Sequence, residues 1–301
     1  MDWIGVAGLI LMVTCIHLIL NRGNRLDWLE SDEIVIELIL AAVGFYLFVY
    51  QTAFSNHPFI PRELLRNINF VLGNVLGFFQ GALVMLSLVI MPLLLEGLIG
   101  YTVTDTGKLI LPRGGGVIVG MLVNVQLSDR IDSRVLFILG FAIIAAAGYM
   151  MAYWSLDVGP TQVGFANFCL GVGGGISFVP LSQLAFSTVP KRLENEGFVI
   201  FYLVYYTGVA SGIAVILAVI SRSAQIKYSE LITAITPFNQ NIKLYGRDEI
   251  WNINDAQGLA ELSMEITRQA NMVAYNNGFL LTMICAIAVI PFVLFFRQPR
   301  P

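Results

Sequence analysis

The chain has 301 residues, of which 57% are hydrophobic and only 12% charged, and its mean hydropathy is +0.76. Its apolar runs reach the length of a bilayer span and exceed that of a strand, so the reading is an integral, polytopic, all-α membrane protein. The net charge of -3 argues against a nucleic-acid binder, because such proteins neutralise phosphates with basic patches.

Cys15, Cys169 and Cys285 fall inside apolar runs with no second cysteine or histidine near in sequence. The pattern predicts neither a disulfide framework nor a metal site, and the three thiols read as small apolar packers. Asp2 stands where a basic signal region would begin, so residues 1–20 read as a retained span.

In chain order the sequence predicts about eight transmembrane helices. The first covers 4–20 and the second 34–50, with Trp28 between them as an interfacial anchor. Glu37 lies about one turn inside the second span and reads as a snorkelling interface residue. Pro58 and Pro61 break the helix in the following connector, where Arg62, Glu63 and Arg66 form a short amphipathic piece along the membrane surface. The third span, 70–95, carries Gly73, Gly77 and Gly81 at four-residue spacing, a stripe of small residues that admits a neighbouring helix closely. Asn74 and Gln80 share that span and must face protein or water.

The fourth span, 108–126, contains Pro112, Arg113 and Gly114 to Gly116. It reads as bent or loosely wound there, with a cation beside the irregularity. The fifth covers 135–154 and has no charge. The sixth, 164–186, includes Gly171, Gly173, Gly174, Gly175 and Pro180; no strand precedes these glycines and no phosphate-binding lysine follows, so they serve helix packing or kinking. The seventh, 198–220, pairs Gly208 with Gly212 for close approach, and its Phe201, Tyr202, Tyr205 and Tyr206 suit a cavity wall or ordinary packing equally. Residues 222–272 form the one sizeable extramembrane segment, in which 255–274 reads as an amphipathic helix on the membrane surface or capping the bundle. The eighth span is 279–296.

Asp129, Arg130, Asp132 and Arg134 crowd the tight turn between the fourth and fifth spans. With Arg62, Arg66, Lys191, Arg192, Arg297 and Arg300 they place eight basic residues on one face. Arg22, Arg25 and Lys108 stand in the short loops of the other. Basic residues concentrate on the cytoplasmic side, so both termini are expected there, in an inner, cytoplasmic membrane.

The order of these features resembles the C-terminal part of a fourteen-span drug:proton antiporter of the major facilitator superfamily, the EmrB/QacA type. The resemblance rests on Asp2 to Gly5, on Leu26 to Ser31, on the stretch 58–69, on Leu111 to Gly114, on Phe178 to Leu181 and on Pro190 to Glu194. The turn 127–134 is similar to the superfamily's loop motif, although Val125 replaces its usual glycine. Tyr205 stands where many relatives place an arginine ahead of the glycine that Gly208 matches.

The resemblance implies a major-facilitator-like C-terminal half with three parts. Residues 1–52 would be an extra two-helix hairpin, 53–68 a cytoplasmic amphipathic linker, and 69–301 a six-span bundle with 222–272 as an extracytoplasmic loop. It implies proton-coupled efflux of amphipathic small molecules by alternating access between two halves. The partners would be membrane lipid, protons, the substrate and a missing N-terminal half or pairing subunit. Asp129, Arg130, Asp132 and Arg134 would form a gating loop, with Asp129 accepting bonds from a helix start. Arg113, Asn74, Gln80, Tyr202 and Tyr205 would line the path. The rival class is a scaffold or regulatory half-transporter without transport of its own. An enzyme is not expected, since His17 and His57 are isolated and no carboxylate pair, nucleophile triad, metal cluster or cofactor motif is visible.

Overall fold

The computed structural model describes residues 2–23, 25–26, 28–55, 59–234 and 256–297. His57, Pro58, residues 235–255 and Arg300 lie outside these. The described chain contains eight helices long and apolar enough to cross a bilayer. In hydrocarbon every backbone N–H and C=O must be paired internally, and a helix does this within one segment.

The spans are α1 (Trp3–Arg22) and α2 (Asp32–Phe54), then α4 (Ile68–Leu94), the broken pair α5 (Val103–Ile110) and α6 (Pro112–Leu127), α7 (Ser133–Ala152), α8 (Pro160–Phe186), α9 (Glu194–Ala234) and α10 (Ala256–Val289). The short α3 (Arg62–Arg66) precedes α4. Polar residues close the exposed starts: the Asp2 carboxylate accepts from the Gly5 N–H, and the Asn67 side chain accepts from Phe70. α4 ends in a π-helical turn, Leu95–Ile99, closed by Gly100 at φ 90, where a side chain would be strained.

These elements bear on three expectations. The fourth span is not loosely wound at its glycines: Pro112 sits at the first position of a regular helix, where its missing N–H is harmless, and the break is confined to Leu111 between α5 and α6. The seventh span does not stop at 220. Nothing in 221–234 breaks a helix, so α9 continues to Ala234. The amphipathic segment begins α10 without interruption, and its Ile266 and Ala270 are buried. Tyr228 on α9 and Ser263 on α10 share a hydrogen bond of 3.2 Å, so each helix covers the other's apolar face.

Lipid gives two helices no hydrophobic reason to associate, so close packing and polar contacts must hold them together. Here α8 is the hub, lying against α4, α6 and α7. Each flank of its glycine run admits a different neighbour. A side chain at Gly171 would strike the Arg113 carbonyl, and one at Gly175 would meet the Val117 carbonyl at 2.5 Å, both on α6. Gly173 opposes Gly140 of α7, with each hypothetical Cβ 2.7 Å from the other's carbonyl oxygen.

α4 crosses α9 in the same way. Gly208 lies on the Phe78 carbonyl, Gly81 on the Tyr205 carbonyl, and Gly212 on Ala82. Of the remaining members of the stripe, Gly77 also meets α9, at the ring of Phe201, and Gly73 faces Ala185 of α8. The hairpin closes where Gly8 and Gly44 face each other, and α1 lies against both α2 and α9. The linker is docked on the end of the bundle: Leu64 is fully buried in a cluster with Ile60, Phe70, Val189, Leu193 and Ile200.

These contacts predict opposite outcomes for two glycines of one helix. Gly120 of α6 lies on the Val172 carbonyl of α8, so Gly120→Val forces the α6–α8 interface apart and is expected to destabilise the protein by about 1–3 kcal/mol. Gly115 has nothing within 4 Å of its hypothetical Cβ, so Gly115→Ala is expected to stabilise by about 0.5–1 kcal/mol. Thermal unfolding in lipid nanodiscs measures both, and equal melting shifts of one sign would refute the packing account.

Candidate functional site

Two polar groupings stand out from the apolar bundle. The first lies inside it. On α4, Gln80 and Ser87 are seven residues apart and therefore share one helix face; they are 1% and 2% exposed. Gln80 donates to the Ser177 hydroxyl of α8 at 2.9 Å. Arg113, 5% exposed at the start of α6, donates through Nη1 to the Ser87 hydroxyl. The Tyr205 phenol on α9 lies within electrostatic range of that guanidinium. Four helices thus contribute to one buried polar column.

Its hydrogen bonding is incomplete. Arg113 Nη2 and Gln80 Oε1 are out of contact with solvent and have no partner. Among the described residues no carboxylate lies within ion-pair distance of Arg113, and Asp105, the nearest acid before it in the chain, is taken by Lys108 at 2.9 Å.

Of the expected path residues, Gln80 and Arg113 are bonded to the bundle two turns apart along α4, through Ser177 and Ser87 respectively, and Tyr205 lies in electrostatic range of Arg113. Asn74 does not join them; its side chain bonds back to the Phe70 carbonyl at 2.8 Å and borders an apolar groove between α4 and α9. Tyr202 turns away as well, 44% exposed. With Tyr206 it lines a groove of about 520 Å³ against Val6, Ile10 and Val13 of α1. Ser87 and Ser177 were missed by the sequence reading, although the seven-residue offset of Ser87 from Gln80 was an available signal. Asn124, which donates to the Ile176 carbonyl at 3.0 Å, was missed too.

The hairpin holds a further buried group. Glu37 is 7% exposed, with Oε1 3.6 Å from Arg22 and Oε2 unpartnered. This corrects the snorkelling expectation: Arg22 folds back over the Glu33 and Glu37 carboxylates and closes the route to water.

The second grouping ties together the helix ends on the side of the 127–134 turn. Asn69 accepts the Arg297 N–H at 2.8 Å and donates to the Arg297 carbonyl at 2.8 Å and the Ser187 hydroxyl at 2.9 Å. Arg134 donates to the Phe296 carbonyl at 2.6 Å. Ser133 donates to Gln183, and Arg192 pairs with Glu63. The helix start expected to bind Asp129 is capped by Asp132, whose carboxylate accepts the Arg134 N–H at 2.9 Å. Asp129 and Arg130 are exposed on the turn and take no side-chain partner among the described residues.

Eight apolar helices carry a buried polar column and a polar clasp at one end. Residues 3–214 match the sequence pattern of the Major Facilitator Superfamily. The chain belongs to that superfamily. It is an integral membrane protein.

Similarity to curated members of the superfamily runs almost end to end. The chain is 23% identical over 303 residues to the multidrug export protein EmrB of Escherichia coli strain K12, covering 99% of this chain and 59% of that protein. It is 25% identical over 301 residues to the fatty acid resistance protein FarB of Neisseria gonorrhoeae, again 99% and 59%. The Haemophilus influenzae EmrB is 23% identical over 300 residues with the same coverage. The chain therefore spans about three-fifths of the length of these relatives.

Asn69 joins α4 to the end of the last span through two hydrogen bonds, each worth about 0.5–1.5 kcal/mol. Asn69→Ala is expected to speed amide exchange at residues 293–297 and leave α6 and α8 protected. Unchanged exchange at 293–297 would show that the clasp does not hold the chain end.

Proposed function

We propose that this chain forms the C-terminal portion of a proton-coupled exporter of amphipathic small molecules that works by alternating access. The observation that carries the reading is similarity over 99% of the chain to superfamily members named for multidrug export and fatty acid resistance. In this reading 1–52 is the extra hairpin, 53–68 the cytoplasmic linker and 69–301 the bundle. A second six-span half supplies the other wall of the path, and each half rocks as a body. The backbone-to-backbone contacts of α8 with α6 and α7 suit such motion, because interlocked helices transmit displacement without deforming.

The turn 127–134 acts as the gate. Asp132 and Arg134 anchor its end to the bundle, whereas Asp129 and Arg130 stay free to meet the opposing half when the cytoplasmic side closes. A shift of about 1.4 kcal/mol between inward-open and outward-open states changes their ratio tenfold, so even a partly solvated contact controls turnover. Asp129→Asn is expected to slow dye efflux about tenfold in the assembled transporter, with dye affinity unchanged. Loss of affinity at normal exchange rates would assign the loop another role.

Orientation follows the basic residues, with both termini in the cytoplasm and the protein in the cytoplasmic membrane. Ser229 is exposed near the far end of α9. Ser229→Cys is expected to react with an impermeant maleimide in intact cells, and labelling only after lysis would reverse the topology.

A further inference from the structure

Along α4, α6 and α8 the only ionised side chain is Arg113, and it is positive. Between Ile68 and Leu94 of α4, Pro112 and Leu127 of α6, Ser133 and Ala152 of α7, and Pro160 and Phe186 of α8 there is no Asp or Glu. On α9 the acids are Glu194, Glu196 and Glu230, at its two ends, and on α10 they are Glu261 and Glu265, in its first turns. The other cations of these helices, Arg134, Arg222, Lys227 and Arg268, are exposed or half-buried, and Arg113 alone is buried.

A lone arginine at membrane depth costs about 2.5–3.5 kcal/mol on insertion scales. Proteins usually offset this with a carboxylate, and a guanidinium carries five donors suited to a planar, two-oxygen partner. Arg113 has instead a neutral hydroxyl on Nη1, a neutral phenol nearby and nothing on Nη2. A packing role would be served better by an apolar residue of similar volume, since removing an unpaired buried charge is stabilising. The surroundings are also free of competitors. Glu37, the buried acid of the hairpin, is held on the far helix α2 by Arg22, and Asp105 is held by Lys108.

We propose that Arg113 is the anion-binding residue of the transport path, and that the substrates it selects are amphiphiles carrying a carboxylate. This rests on the exporter reading above and adds the charge of the substrate to it. In the bound state the carboxylate accepts from Nη2, the donor that has no partner, while Ser87 keeps Nη1 in place. Tyr205 lies in electrostatic range of the same group.

The test compares three amphiphiles of equal chain length on the full transporter in nanodiscs of neutral lipid: laurate, methyl laurate and dodecyltrimethylammonium. Charge-assisted hydrogen bonds are worth about 1.5–3 kcal/mol, so laurate is expected to bind about tenfold to hundredfold tighter than its ester. Arg113→Gln should abolish that ratio without weakening the cation. Arg113→Lys should keep part of it, because an ammonium retains the charge but loses the two-pronged geometry. Equal binding of laurate and methyl laurate by the unaltered protein overturns the proposal with no substitution needed, as does an unchanged ratio in a folded Arg113→Gln protein. If dodecyltrimethylammonium is still bound and exported when laurate shows no preference, the exporter reading survives and only the anion site falls. If no amphiphile is bound or exported, both fall.

Discussion

The constraint on which the rest of the structure depends is that helices in lipid must be held by contact and not by exclusion from water. α8 meets it by removing side chains from two flanks at once, so that the backbones of α6 and α7 rest on its own. At such separations dispersion forces act between main chains, and no rotamer can relax to open the interface. The same solution recurs between α4 and α9 and within the hairpin. Bundle and hairpin are therefore each stiff, while the α1–α9 contact between them is lighter in polar anchoring, with His17 reaching the Thr207 carbonyl and the Ser211 hydroxyl at 3.4 Å each.

This packing also decides where polarity can sit. Because Gly171 brings the start of α6 onto α8, the Arg113 side chain is carried across toward α4, where Ser87 meets it. The glycines of the α4–α9 crossing bring Tyr205 against α4. A buried cation without a counter-charge is thus the product of close backbone approach, and its cost is a reason to look for a ligand. Strained or unsatisfied groups concentrate where proteins act, and a fold as stiff as this one can sustain them.

At the opposite end the chemistry reverses. Side chains of Asn69, Ser133 and Arg134 tie helix termini and loops together at partly exposed positions, where single hydrogen bonds are weak and several are needed. Such a clasp fixes the ends of α4, α7, α8 and the last span relative to one another. It leaves the tip of the turn, with Asp129 and Arg130, uncommitted.

The sequence by itself determined the class, the number of spans and the location of the polar turn. Each of these depends on composition within one segment, and a run of apolar residues reports its own solvent regardless of its neighbours. It also marked Arg113, since one charge in a span is visible without coordinates. What only the tertiary structure decided was which side chains meet. Tyr202 and Tyr205 are three residues apart and look alike in sequence, yet one faces the hairpin and the other the buried cation, because the α4–α9 crossing fixes the rotation of α9. Glu37 appears to the sequence as an interface residue, and only the fold shows Arg22 closing over it. The continuous α9 and α10 escaped the reading for a related reason: their polar turns are stabilised by each other, and an interaction between segments leaves no periodicity that either segment shows alone.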